Sequence, residues 1–319
     1  MCSIDTIDSD IIQFHILNKL DGASLAAASC ASSQLLSLCT HDYLWKQICN
    51  SRWPSTSDPS VRAAISAFPS GHRSFYSDSF PASLSTPPKK TGFPNTSELI
   101  SAVDIFYGGD LIYSKVLNTE TISGIFLCSR FRLDLLHQKE MVVVPLKFDG
   151  DEDGCMTRAA EHLRVSWILI DPSSGRAVNV ASGKAVEARW QYLTEDMDLR
   201  YATVVDGGGG EVVQFHVEVN CGGDYGGDLM VREVRLEIED VDGRVLTGLE
   251  SLGIIEAAME GERRRVSGEM EKEIYERFRN MQLSSGIKQT SERGVSVVVF
   301  TAAGISIFLV IIWIILSGD

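Results

Sequence analysis

Basic side chains are scarce in this chain of 319 residues: 29 Lys and Arg stand against 43 Asp and Glu, a formal charge of −14. A field of that sign repels phosphate backbones unless a basic patch is segregated from it, which excludes nucleic acid as the main partner. The one basic run, Arg263-Arg264-Arg265, is ringed by Glu260, Glu262, Glu269, Glu271 and Glu273 and reads as a solvated helix face. Cysteine is sparing too. Cys2, Cys30, Cys39, Cys49, Cys128, Cys155 and Cys221 are odd in number, lack short paired spacings and follow no apolar signal sequence, so they read as reduced thiols in the cytosol. The six histidines have no metal-ligand spacing, and no Ser/His or Cys/His pair stands out, so no catalytic, cofactor or metal site is expected. Gly207-Gly208-Gly209-Gly210 lacks the lysine and the helix start that a phosphate loop needs, and the acidic turn Asp149 to Gly154 lacks the closing bidentate glutamate of a calcium loop.

What the chain does have near its start is helical periodicity. Asp8 or Ser9 can cap a helix from Asp10 to about Lys19 whose apolar residues are Ile11, Ile12, Phe14, Ile16, Leu17 and Leu20. That stripe is wider than a surface helix needs for its own core, so part of it should meet another surface. Leu20-Asp21-Gly22 breaks the pattern. A second helix follows from Ala23 or Ser24 with small residues and then Leu35, Leu36 and Leu38, and a third carries Tyr43, Leu44, Trp45 and Ile48. Three short helices bury too little area to stand alone.

The order Ile7-Asp8-Ser9-Asp10-Ile11-Ile12, Ile16-Leu17-Asn18-Lys19-Leu20-Asp21-Gly22, Leu25-Ala26-Ala27-Ala28-Ser29 and Leu44-Trp45-Lys46-Gln47-Ile48 resembles an F-box. Many F-boxes begin Leu-Pro where this chain has Ile7-Asp8. The likeness continues through Trp53-Pro54, Phe68-Pro69-Ser70-Gly71-His72-Arg73-Ser74-Phe75 and Ser97 to Asp104, and is similar to a group of plant F-box proteins with a β-rich C-terminal part. The resemblance implies docking onto the Skp-family adaptor of a cullin complex. Ile12, Ile16, Leu17, Leu20, Leu25, Leu44 and Trp45 would then form or support the adaptor-binding surface.

Beyond the helices, 83–98 is rich in Pro, Ser and Lys and reads as a linker. From Leu99 the period becomes two. Leu99 to Tyr107 and Leu111 to Val116 suit a hairpin, and further strands are expected at Gly124 to Cys128, Met141 to Leu146, Leu163 to Ile170, Arg176 to Val180, Ala188 to Tyr192, Glu211 to Asn220, Met230 to Glu239 and Arg244 to Leu246. Short strands without long intervening helices indicate an antiparallel sandwich or barrel. Val213, Phe215, Val217 and Val219 oppose Gln214, His216, Glu218 and Asn220, so that strand should have one buried and one wet face. Val165 to Ile170 is apolar on both faces and should be central.

Past Gly248 the pattern is helical again, with Leu252, Ile255, Met259, Val266, Met270, Ile274, Phe278 and Met281 in one stripe. Leu249 to Met259 should pack on the sheet; Val266 to Met281 either packs, projects or self-associates. Val295 to Leu316 carries no charge and at 1.5 Å per residue would span about 33 Å, enough for a bilayer core. The expected class is therefore α+β: an F-box module (1–53), a helical extension (54–82), a linker (83–98), an antiparallel β domain (99–248), an amphipathic helix (249–283), a juxtamembrane linker (284–294) and a single transmembrane helix (295–316). The expected protein is single-pass and tail-anchored, with a cytosolic N-terminus, in the endoplasmic reticulum. The expected role is a non-catalytic substrate receptor of a Skp-cullin-F-box ubiquitin ligase, with an unknown protein target, a Skp-family adaptor, a cullin and membrane lipid as partners. The alternative is a membrane-anchored scaffold outside the ubiquitin system.

Overall fold

Short polar side chains start most of the helices. The computed structural model describes residues 8–84, 96–148, 151–208, 211–264 and 269–285. Helix α1 opens as Ser9–Ile11, widens to a π-helical Ile12–Ile16 and closes with a 3-10 turn, Leu17–Lys19. There follow α2 (Gly22–Ala28), α3 (Ser33–Cys39) and α4 (Asp42–Arg52), then a 3-10 turn Pro54–Ser57, α5 (Pro59–Ile65) and α6 (His72–Asp78). The side chains of Asp8, Asp21, Ser32 and Asp58 accept first-turn N–H groups at α1, α2, α3 and α5. The cap at Ser32 is why the long second helix read from the sequence is two helices.

Among the described residues, ten strands follow from residue 98. They are β1 (Glu98–Tyr107), β2 (Asp110–Glu120), β3 (Arg132–Asp134), β4 (Val142–Lys147), β5 (Leu163–Asp171), β6 (Arg176–Asn179), β7 (Glu187–Gln191), β8 (Asp196–Gly208), β9 (Glu211–Gly222) and β10 (Asp228–Asp240). One sheet has the order β2-β1-β5-β6 and the other β3-β10-β9-β8-β7, with β4 also paired to β10; every pairing is antiparallel. Alternate residues of the two sheets meet in one core, where Val103, Val165, Trp167 and Leu169 share a cluster with Tyr201, Phe215, Val217 and Leu236. The opposite face of the first sheet, through Ile100, Ala102, Ile168, Ile170 and Ala177, packs against Trp53, Val61, Ile65, Phe68 and Phe75 of the helices. That is why Val165 to Ile170 is apolar on both sides.

A buried carboxylate closes this seam. Asp104 of β1 accepts hydrogen bonds from Ser55 N (2.9 Å), Ser55 Oγ (2.6 Å) and Ser114 Oγ (2.7 Å). Burial raises its pKa, and the serine hydrogen bonds oppose that rise.

Several expectations are corrected. Gly124–Cys128 is a helix, α7, capped by Ser123, and Glu152–His162 is a helix, α8, capped by Asp151. A short apolar run suits a strand or a helix equally, and Glu152 and Asp153, read as part of a turn, lie in the first turn of α8. The outer face of the second sheet is not simply wet: Gln214 and His216 are buried. Helix α9 (Gly248–Glu260) packs at the sandwich core, and a further helix over 269–285, α10, lies across that outer face. Its Tyr275 packs with Val186 and Ala202 and donates to Glu187, while Gln282 Nε2 donates to Asp240 O (3.2 Å). Of the stripe read through α10, Phe278 is buried, but Met270 and Met281 are exposed while Glu271 and Tyr275 are buried, so the stripe holds there only in part.

Arg263 is also not part of a solvated face. Its guanidinium donates to the backbone oxygens of Ala258, Met259 and Gly261 at the end of α9, and to those of Asp78 and Ala177. Burial lowers its pKa to about 10. Among the described residues no helix is long and apolar enough to cross a membrane. This overturns the expectation of a single-pass, tail-anchored protein of the endoplasmic reticulum with lipid as a partner. The segment Val295 to Leu316 lies outside the described residues, and the helices before it, α9 and α10, have polar faces and pack on the sheets.

Candidate adaptor-docking surface

The geometry of α1 decides which apolar side chains of the helical module face outward. In its π-helical stretch the N–H of Leu17 bonds to Ile12 O, five residues back. Ile12 and Leu17 therefore fall on one face, and both are 2% exposed. They join Leu25, Leu35, Leu38, Cys39, Leu44 and Trp45 in a single small core, with Leu20 partly buried at its rim. Trp45 is held inside by donating Nε1–H to Cys39 O (2.7 Å) and by packing 5.3 Å from the Tyr76 ring.

Of the seven positions expected to form or support the adaptor-binding surface, Ile12, Leu17, Leu25, Leu44 and Trp45 lie in the interior of the module. They hold the scaffold together. Ile16 is exposed and Leu20 half-open. The outward apolar surface also includes two residues that the sequence placed in the broad stripe without singling out: Ile11 (50% exposed) and Phe14 (49%) stand with Ile16 (47%) along α1. Phe14 packs against Tyr43 of α4 with ring centroids 6.1 Å apart. The signal that could have found them was the excess width of that stripe.

Beside this ridge a groove of about 530 Å³ runs between the end of α1, the start of α2 and α4, with Leu20, Leu44 and Ile48 among its walls. Asp21 at its edge accepts from Ser24 N (2.7 Å), and that backbone hydrogen bond lowers its pKa. Gly22 is required at the next position, since a Cβ there would come 2.2 Å from the ring of Tyr76. Asp42, in the first turn of α4, accepts from His72 N (2.7 Å) and lies 2.8 Å from His72 Nδ1, which fixes α4 against α6.

A second polar cluster lies on the outer face of the other sheet. The ligand atoms of His216, Glu237 and Glu239 lie within 4.8 Å of one another. Yet His216 Nε2 is 3.1 Å from Glu218 and Nδ1 is 3.3 Å from Glu239, while Arg200 and Arg235 pair with Glu218. Burial pulls the His216 pKa down, but hydrogen bonds to Glu218 and Glu239 outweigh it and the net shift is upward. Burial likewise raises Glu218, and His216 with the two arginines brings it to about 2. These groups neutralise one another, and the arginines disfavour a cation.

The architecture is thus that of a small helical module with an open apolar ridge, fused to an antiparallel β sandwich. No protein-family model matches the chain, and no solved structure matches it. Curated proteins do. The F-box protein At2g27310 of Arabidopsis thaliana is 42% identical over 296 residues, covering 88% of this chain and 87% of that protein. The F-box protein At3g44326 of the same plant is 43% identical over 289 residues, covering 85% and 78%. The probable F-box protein At2g36090, also from Arabidopsis, is 37% identical over 322 residues, covering 97% and 92%. The chain belongs to this family of plant F-box proteins.

Proposed function

We propose that this chain is a non-catalytic substrate receptor of a Skp-cullin-F-box ubiquitin ligase, docking a Skp-family adaptor through its helical module (1–53) and a protein target through its β domain (99–248). The observation that carries the reading is the ridge of Ile11, Phe14 and Ile16, left open on a module whose core is otherwise closed. Burying each such side chain is worth roughly 1.5–3 kcal/mol, so three of them with Tyr43 make the centre of a protein interface. On the target side, the Met197↔Cys221 and Met230↔Gly222 registers set two hairpin turns side by side, and these expose Tyr192, Leu193 and Tyr225. Such a receptor contributes effective concentration and orientation to a ubiquitin transfer whose chemistry belongs to other subunits.

The test is binding of the full chain to a purified Skp-family adaptor, comparing wild type with a Phe14→Glu, Ile16→Glu variant. Because both side chains are exposed, the variant should keep its thermal midpoint and lose about a hundredfold or more in affinity, the scale of two lost interface anchors. Wild-type affinity in that variant would refute the ridge as the docking surface. Absence of binding by the wild type would refute the ligase role.

A further inference from the structure

In a chain of net charge −14, arginine has abundant carboxylates to pair with, and most of the described arginines do so. Arg52 and Arg164 are two of those that make no ion pair among the described residues. Arg52 ends α4 with its guanidinium 5.2 Å from the ring centroids of both Trp53 and Phe80. Asp21 feels its charge across the neighbouring groove without contacting it. Arg164, on β5, donates to the backbone oxygen of its neighbour Leu163 (3.0 Å) and has no carboxylate within ion-pair distance among the described residues.

The two arginines line the same cavity of about 200 Å³, at the seam between the helical module and the first sheet. Among the described residues no Asp or Glu lines it, and its apolar walls include Trp53, Phe80 and Phe106. The amide of Asn179 is occupied by Ser166 Oγ (3.1 Å) and by the N–H groups of Trp167 and Ala181. The charged donors of the cavity are the guanidinium N–H groups, set beside apolar walls.

The geometry points to a binding site for a small carboxylate with a flat apolar body. The guanidinium groups offer the fork that matches a carboxylate, and the apolar lining, which includes Phe80, Pro81, Phe106 and Val165, offers dispersion contact to the body. A cavity of this volume holds about seven water-sized units, which fits a molecule of roughly ten non-hydrogen atoms. Its place at the seam means that an occupant touches both α4 and β5, so it stabilises the joined arrangement by mass action. This reading is independent of adaptor binding.

Benzoate, inorganic phosphate and benzylammonium titrated calorimetrically into the full chain separate anion from body. Benzoate should bind saturably with a dissociation constant on the order of a millimolar, the scale for a fragment of its size. Arg164→Gln and Arg52→Gln should each weaken it about tenfold, the effect of losing one charge-assisted contact. Both variants should keep the wild-type thermal midpoint without ligand, and Arg164→Lys, which retains the charge without the fork, should fall between wild type and Arg164→Gln. Benzylammonium should not bind, and phosphate should bind about tenfold more weakly than benzoate. No saturable benzoate binding, unchanged binding in both glutamine variants, or phosphate equal to benzoate would each overturn the proposal.

Discussion

Glu271 offers the sharpest test of how α10 is held. It sits in the first turn of that helix with its side chain 1% exposed, and its nearest cation is Arg264, 4.0 Å away and itself buried. Burial dominates and pushes the Glu271 pKa from 4.5 up to about 7, with Arg264 and the Gly183 N–H opposing the rise. The same burial lowers the pKa of Arg264, so desolvation outweighs the mutual attraction of the pair. Released from the sheet, Glu271 loses its proton near 4.5; docked, it keeps the proton to about 7. Between those values the docked state binds more protons, and docking must weaken as pH rises. A displacement of that size corresponds to about 3 kcal/mol, roughly three hundredfold in the docking equilibrium.

Hydrogen exchange along 269–285, corrected for intrinsic rates, reads this equilibrium directly. In wild type, protection of those amides should fall by about a hundredfold between pH 4.5 and 7 and then level off. Glu271→Gln, which removes the charge and keeps the shape, should flatten this fall and protect α10 more than wild type above pH 7. If wild type shows no such fall, or the glutamine variant retains it, burial of the Glu271 carboxyl is not what limits docking.

Other outcomes follow from single contacts. Gly22→Ala places a methyl 2.2 Å from the Tyr76 ring, which is packed among Trp45, Trp53 and Phe80, and should cost about 1–3 kcal/mol in urea unfolding. Asp104→Ala strips the acceptor from Ser55 N–H, Ser55 Oγ and Ser114 Oγ at the seam and should cost about 3 kcal/mol; a double-mutant cycle with Ser55→Ala should show coupling. The upward shift of His216 stabilises the fold below its free value of 6.5, and this contribution should fade as pH rises through the higher folded value. His216→Gln should remove that alkaline loss, as read from unfolding midpoints at pH 6 and pH 9, taken as about the ends of the histidine range.

The sequence carried the frame of this fold where local chemistry and burial agree. The capping carboxylate at Asp8 marks the first helix start, and alternation through Val213 to Val219 marks the inner face of β9. It was silent where one pattern serves two structures. Ile125-Phe126-Leu127 is as apolar as a strand, and only the Ser123 cap, accepting from Phe126 N at 3.2 Å, separates helix from strand there. Alternation on β9 also tells which side is polar without telling what covers it. His216 and Gln214 read as wet because the residues that bury that face lie on α10, more than fifty positions away in the chain. At the candidate surface the limit was phase. A regular helix cannot put Ile12 and Leu17 together and leave Phe14 and Ile16 outside, whereas a π-helical turn does. Leucine spacing therefore found the module without telling which of its apolar side chains lie inside and which outside.

The seam between helices and sheet gives the proposed receptor its mechanical logic. Three independent devices lock it: the shared apolar cluster around Trp53 and Ile168, the Asp104 bonds to Ser55, and the pairing of Arg176 with Asp78 at 2.7 Å, reinforced by Arg263 on the Asp78 backbone oxygen. A receptor whose two ends were joined by a loose linker would present its target over a wide range of orientations, and the effective concentration at the transfer site would fall accordingly. Here the helical module and the two sheets are packed in successive layers, so on the proposed reading a target held at the turns would keep a fixed distance and direction from the adaptor side. Burying Asp104 at the cost of a raised pKa makes sense on these terms, because a directed bond fixes the angle between module and sheet where apolar contacts alone would let them slide.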